Sequence, residues 1–233
     1  MILYKYINDE GGVNIVKDQR ITLGDISKFN DPFELRENIV HESTDVKEHV
    51  RKIFEASRDR SIEHFHVTCF CEDKIDCKEE VLMWAYYAKG HTGYRFRFNF
   101  DHDLLPNGAG LKKVNYLSER IPYDVQRTYR GKGMNDLIQG FSYAMEVQTE
   151  MLYSKSDVWK HEHEVRLIVP TCHCEDGKYW KFDFRIITRI DCGVLCPIEK
   201  IEAMKSLLTG KGIGLWKAEV DLTDFKLNYI QII

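Results

Sequence analysis

Gly93-Tyr-Arg-Phe-Arg-Phe-Asn-Phe100 decides the fold class. Tyr94, Phe96, Phe98 and Phe100 alternate with Gly93, Arg95, Arg97 and Asn99, the period-two pattern of a β-strand with one uniformly aromatic side. Such a side needs cover. The nearest amphipathic segment is the helix expected over Glu79–Lys89, stopped by Gly90, where Trp84, Tyr87 and Ala88 share a face and His91 lies just past the end. Trp84 and Tyr87 at helical spacing suit a core as well as a ligand wall. The Arg95 and Arg97 side is then either solvated or a floor for an anion.

A second strand is expected in Trp159-Lys-His-Glu-His-Glu-Val-Arg-Leu-Ile-Val-Pro170. Alternation places Glu162, Glu164 and Arg166 on one side and His163, Val165, Leu167 and Val169 on the other, with Pro170 ending it. A carboxylate pair and a guanidinium on an aliphatic-backed strand are either a solvated edge with weak ion pairs or rigidly placed groups at the lip of a cleft. Earlier in the chain, Ile2–Tyr6 reads as a short strand with Tyr4 and Tyr6 on one side, broken by Gly11 and Gly12. Phe65–Cys71 reads as another, with Val67, Cys69 and Cys71 on one side. Phe29-Asn-Asp-Pro-Phe-Glu34 reads as a helix start, with Asp31 as N-cap, Pro32 in the first position and Glu34 reaching back. Thr44–Glu63 has the spacing of an amphipathic helix through Val46, Val50, Ile53 and Phe54.

Further elements are expected at Lys112–Tyr116 (strand), Asn135–Tyr153 (helix), Tyr179–Phe184 and Ile186–Val194 (strands), and Pro197–Leu208 (helix). Two more strands close the chain at Leu215–Val220 and Phe225–Ile233. With no repeat and no long linker, the reading is one α+β domain over residues 1–233. Its 233 residues, 43% hydrophobic and 30% charged, suffice for a sizeable core. A formal net charge of −4 gives no overall attraction to polyanions, so nucleic-acid binding would need a local basic patch. Neither a membrane span nor a signal peptide is legible, which makes a cytoplasmic protein with reduced thiols the expectation for its seven cysteines.

Cys69-x-Cys71 and Cys172-x-Cys174, near His64, His66 and His173, offer soft ligands. On a strand, though, an x-spaced pair sits about 7 Å apart, wide for one tetrahedral ion, so no metal is expected. Nucleophile elbow, phosphate-loop and dinucleotide-turn motifs are absent from the sequence. What remains is aromatic residues with paired carboxylates.

Leu3-Tyr-Lys-Tyr6, Phe29-Asn-Asp-Pro-Phe-Glu34, Met83-Trp-Ala-Tyr-Tyr-Ala-Lys-Gly-His-Thr-Gly93 and Trp159-Lys-His-Glu-His-Glu-Val-Arg166 resemble, in this order, the boxes of an uncharacterised bacterial domain family. The order of elements is more remotely similar to the ADP-ribosyltransferase fold. Tyr4–Tyr6 would take the place of its first strand, Thr68-Cys-Phe-Cys71 its second motif, and Glu162-His-Glu164 its late Glu-x-Glu. Cysteines stand where serine is usual, and the first strand lacks the usual Arg or His. That resemblance implies a split, mixed or antiparallel sheet with flanking helices, NAD as substrate, and transfer of ADP-ribose to a protein or nucleic acid, in a toxin or phage-defence setting. It further implies Glu164 as the carboxylate orienting the ribose and Glu162 facing the acceptor. Tyr87 or Trp84 would wall the nicotinamide, and Arg95 or Arg97 would meet the pyrophosphate. Asn30, Asp31, His91 and Arg166 would join Tyr4 and Tyr6 in lining the cleft. The alternatives are an inactive binding or sensor module on the same scaffold, and a nuclease holding Mg²⁺ on Glu162 and Glu164.

Overall fold

The computed structural model describes residues 1–233 apart from 27–28, 30, 36–37, 41–51, 53–54, 57–58, 60–62, 74–75, 101–104, 106 and 129–132. Eight strands form one mixed sheet: β1 (Ile2–Ile7), β4 (Phe65–Glu72), β5 (Tyr94–Asn99), β6 (Gly110–Lys113), β10 (Glu164–Pro170), β12 (Ile187–Cys192), β13 (Gly214–Val220) and β14 (Leu227–Gln231). Their order is β14-β13-β12-β5-β1-β4-β10-β6. Only β12 and β13 run parallel in it, joined through a helix as a parallel crossover requires. Three small pairs flank the sheet: β2 (Arg20–Thr22) with β11 (Tyr179–Lys181), β3 (Asn38–Val40) with β8 (Pro122–Asp124), and β7 (Asn115–Leu117) with β9 (Ser154–Ser156). The helices are α1 (Asp9–Asp18), α2 (Cys77–Tyr87), α3 (Val125–Thr128), α4 (Met134–Leu152) and α5 (Ile198–Leu208). The helix expected over Thr44–Glu63 falls largely outside the described residues.

Tyr94, Phe96, Phe98 and Phe100 lie in the main core, but the helix expected to cover them does not. They pack with Phe70, Trp180, Phe182 and Ile190, beneath Ile15 and Val16 of α1 and Ile201 and Met204 of α5. Trp84 and its helix α2 sit on the opposite sheet face, with Tyr6, Cys71, Met83 and Ala88. Both faces of β5 are therefore covered. Arg95 tolerates this because its guanidinium bonds Asp191 at 2.7 Å and also pairs with Glu80, so the buried charge has partners. Gly11 and Gly12, expected to break the chain, lie inside α1. A Cβ on Gly12 would come within 2.4 Å of the Tyr94 ring, so the helix sits this close to the sheet only with glycine there.

The seam between β1 and β4 opens almost at once. Register holds for Leu3↔Glu72 and Tyr4↔Cys71 and then stops, while β1 stays paired with β5 along its whole length. Lys5 lies where the strands part, and its Nζ donates to the Cys69 carbonyl (3.0 Å) and the Thr68 hydroxyl (2.8 Å). The ammonium thus meets polar groups that the missing ladder leaves over. On the face opposite the main core, a cluster under α4 (Val147, Met151, Tyr153 with Val67 and Ile168) is separate from the cluster under α2. A cleft of about 440 Å³ lies between them.

Candidate functional site

Five ionisable side chains meet at the end of this cleft. Glu164 opens β10 and faces it across from Cys71, and Arg166 follows two residues on, opposite Cys69. Glu162 does not continue the strand. It ends a 3-10 turn, Asp157–Glu162, and His163 at φ 44° turns the chain into β10. The alternation expected over Glu162–Arg166 therefore fails at His163, yet Glu162 still points inward. Lys155, on β9, donates from Nζ to Glu162 Oε2 at 2.6 Å and to Glu164 Oε2 at 3.3 Å. Arg166 donates from Nε to Glu164 Oε1 (2.6 Å), from Nη2 to Glu34 Oε2 (2.8 Å) and from Nη1 to the Leu152 carbonyl (2.8 Å). Tyr87 donates to Glu162 Oε1, and the Tyr116 hydroxyl accepts from the Glu164 amide at 2.8 Å. Glu162, Glu164, Arg166 and Lys155 are each no more than 6% exposed. The solvated-edge reading of this strand is thereby overturned: β10 is an interior strand between β4 and β6.

Three carboxylates (Glu34, Glu162, Glu164) share the ion pairs of two cations (Lys155, Arg166), while the third cation lining the cleft, Lys5, bonds Thr68 and Cys69 instead and has its pKa lowered by burial. Burial works against the charge on Glu164, but Arg166 and Lys155 outweigh it and hold that carboxyl down at about 2. Glu34 gets the weaker share. Burial pushes it up to about 7 against the pull of Arg166 and Lys155, with the Glu164 charge adding to the rise. Burial lowers Lys155, but Glu164 and Glu162 reverse this and raise it. Burial also pushes Cys71 up to about 12 and raises Cys69, so both thiols on this face stay protonated.

Rings line the cleft: Tyr4, Tyr6 and Tyr87, packed in one cluster with Met83, then Tyr86 and Phe70, and Phe29 from the other cluster. The Arg166 guanidinium lies 4.7 Å from the Phe29 ring centre, and the Lys155 ammonium 4.7 Å from that of Trp159. Of the residues singled out in the sequence, Tyr4, Tyr6, Tyr87, Glu162, Glu164 and Arg166 come together here. Trp84 does not, being fully buried with its indole N–H on the Tyr229 hydroxyl at 3.1 Å. His91 stacks on the far side of Trp84 at 6.5 Å, and its backbone crowds Gly193. Arg95 is locked between Asp191 and Glu80 and stacked on Tyr4 and Tyr229, while Arg97 bonds the Thr188 hydroxyl; neither lines the cleft. Asp31 is buried beside the cleft in the turn that carries Glu34, its Oδ1 accepting from the Phe33 amide at 2.9 Å. Asn30 lies outside the described residues.

Glu34 and Lys155 are the functional candidates that sequence reasoning missed. Asp31 does cap a turn, but among the described residues no helix follows it, and Leu35 at φ 55° ends it. Glu34 is thereby free of capping and turns to Arg166 and Lys155. Phe29, which capping leaves unexplained along with Asn30 and Phe33, was the available signal, and it lines the cleft. Lys155 gave none.

A family model described as "Protein of unknown function (DUF2971)" matches residues 83–167, from α2 into β10, and over that stretch the chain is similar to this uncharacterised domain family. No curated protein and no solved structure matches the chain.

Proposed function

We propose that the protein is an ADP-ribosyltransferase-like enzyme that cleaves the nicotinamide–ribose bond of NAD and passes the ADP-ribosyl group to a macromolecule. The carrying observation is a carboxylate cluster in a ring-walled cleft: Glu34, Glu162 and Glu164 share the ion pairs of Lys155 and Arg166, and Lys5, which also lines the cleft, bonds Thr68 and Cys69 rather than a carboxylate. Oxidised nicotinamide is a flat cation. A cleft with three carboxylates and walls of Tyr4, Tyr6, Tyr87 and Phe29 suits it by carboxylate contact and by cation–π contact.

In this reading the C1′–N bond breaks with its electron pair leaving on the nicotinamide nitrogen, so the ring departs neutral. The ribose becomes an oxocarbenium-like cation, as in glycoside cleavage. Glu164, ionised and fixed by Arg166 and Lys155, accepts from a ribose hydroxyl and stabilises the developing charge without reorganising. Glu162, positioned by Tyr87 and Lys155, takes the proton of the attacking acceptor group. The parting of β1 from β4 opens the sheet beside these residues, which also supports the resemblance in architecture.

The Mg²⁺-nuclease reading has less support. Glu162 and Glu164 already accept from Lys155, Arg166 and Tyr87, so a dication would have to displace them or lose much of its attraction to their cations.

The test is nicotinamide release from NAD by the full chain, with Glu164→Gln compared at equal folded fraction. Losing one such electrostatic contact lowers kcat by about 10²–10³-fold. A wild-type protein that releases no nicotinamide, with or without cell extract as acceptor, sinks the proposal and leaves the binding-module reading. Nucleic-acid cleavage abolished by EDTA would transfer the site to the nuclease reading.

A further inference from the structure

Next to the cleft, the same turn that sends Glu162 inward sends Trp159 and His161 outward. They face Tyr86 of α2 across an open recess of about 560 Å³, lined by Tyr86, Tyr87, Val158, Trp159 and His161. The His161 ring lies 6.3 Å from Tyr86 and 6.2 Å from Trp159, centre to centre. Tyr86 and Val158 are 58% and 72% exposed, an expensive way to present large apolar groups to water beside a cleft. His161 has a further peculiarity: its Nε2 is buried without a hydrogen-bond partner among the described residues. Tyr86 and Tyr87 line both this recess and the charged cleft, and Tyr87 also donates to Glu162. The two spaces thus share a wall of aromatic rings.

We propose that this recess is a second ring site, which takes a nucleobase of a nucleotide while the nicotinamide end occupies the charged cleft. Every wall but Val158 is an aromatic ring, and stacking is the interaction such rings offer to a base. Lys160, exposed on the same turn, supplies a cation for the nucleotide's phosphate. The base could come from the adenosine half of NAD or from a nucleic-acid acceptor. The inference rests on the reading of the cleft as an NAD site, but its binding test needs no turnover.

Trp159 is half-exposed and lies in the recess, so its fluorescence reports on the site. The full chain is titrated with AMP and, separately, with nicotinamide mononucleotide, which has no base of this kind. AMP should quench the emission, and Tyr86→Ala, a surface change, should weaken that quenching about tenfold, within the range that stacking of one base provides. His161→Ala should act in the same direction. Trp159→Phe should abolish the signal while calorimetry still detects AMP. Quenching equal for AMP and nicotinamide mononucleotide, or unchanged in Tyr86→Ala, overturns the proposal, as does the absence of any AMP binding by calorimetry.

The source of the base is read from competition. If it is the adenosine of NAD, AMP raises the KM for NAD in the nicotinamide-release assay. If it belongs to an acceptor, AMP leaves that KM unchanged, and a short single-stranded oligonucleotide displaces AMP and becomes ADP-ribosylated. A protein that binds AMP through Tyr86 but releases no nicotinamide keeps the ring site and loses only the enzymatic reading.

Discussion

The buried Glu34 carboxyl should make the protein less stable as pH rises through neutrality. Glu34 is pushed from an ordinary 4.5 to about 7 in the fold, chiefly by burial. Between those values the folded state binds the extra proton and the unfolded state does not, so stability is highest below 4.5 and falls as pH climbs to 7. A shift of this size corresponds to about 3 kcal/mol, and with the side chain only 3% exposed there is little solvent screening to reduce it. Glu34→Gln keeps the shape and the uncharged state, so its stability should lack this slope. The difference between variant and wild type should grow by about 2.5 kcal/mol from pH 5 to pH 8, with the variant the more stable at pH 8. Taking the difference matters because His91, whose pKa burial lowers, contributes the opposite slope below its unfolded value. Glu164, held at about 2, contributes stability that is full above 4.5 and lost only as pH falls towards 2, outside the window. Urea denaturation at four pH values measures this directly. A variant-minus-wild-type difference that stays flat across pH 5–8 would refute the raised Glu34 carboxyl, and with it the gain of negative charge in the cleft above neutrality. Under that same proposal, the KM for NAD falls as pH rises through about 7 in the wild type and stays level in Glu34→Gln.

Lys155→Met should cost about 3–5 kcal/mol, because it leaves Glu162 and Glu164 buried without the cation they share; adding Glu162→Gln should recover part of that loss in a double-mutant cycle. Trp84→Ala should lower stability by about 3–5 kcal/mol in urea titrations, yet the folded fraction should keep its nicotinamide release, since the indole does not line the cleft. Gly93→Ala would bring a Cβ to 2.2 Å from the Ile7 carbonyl, a backbone atom that cannot step aside, so a thermal melt should show at least the roughly 1–3 kcal/mol loss of an overpacked core.

The strand at Gly93–Phe100 was legible because alternation depends only on the chain itself. What covers each side was not, because it depends on partners far along the sequence. Arg95 reads as solvent-facing until Asp191 and Glu80 arrive from 96 and 15 residues away to neutralise it inside the fold. Phe29-Asn-Asp-Pro-Phe-Glu34 shows a local explanation concealing a distant one. Asp31 and Pro32 do turn the chain as capping logic expects, and that logic also claimed Glu34, whose partner Arg166 is 132 residues on. Glu162 was assigned to the right place for an incorrect reason. Strict alternation would have carried it on the strand, whereas a left-handed residue at His163 aims it there from a turn. Lys155 was illegible because a lone lysine after a helix is ordinarily solvated, and only three converging carboxylates make its burial tolerable.

Burying five charged groups in one place is a poor way to stabilise a fold, since apolar residues of the same volume do as well or better. The sheet's other face shows that this chain can build an ordinary core, with Phe70, Phe96 and Phe98 packed tightly together. The charge therefore belongs to the cleft rather than to the fold's stability. Its pairing is also uneven: Arg166 and Lys155 hold Glu164 ionised, while burial pushes Glu34 towards neutrality against the pull of the same two cations. A cleft with three carboxylates, open beside four tyrosines and two phenylalanines, suits the flat cationic ring proposed for it.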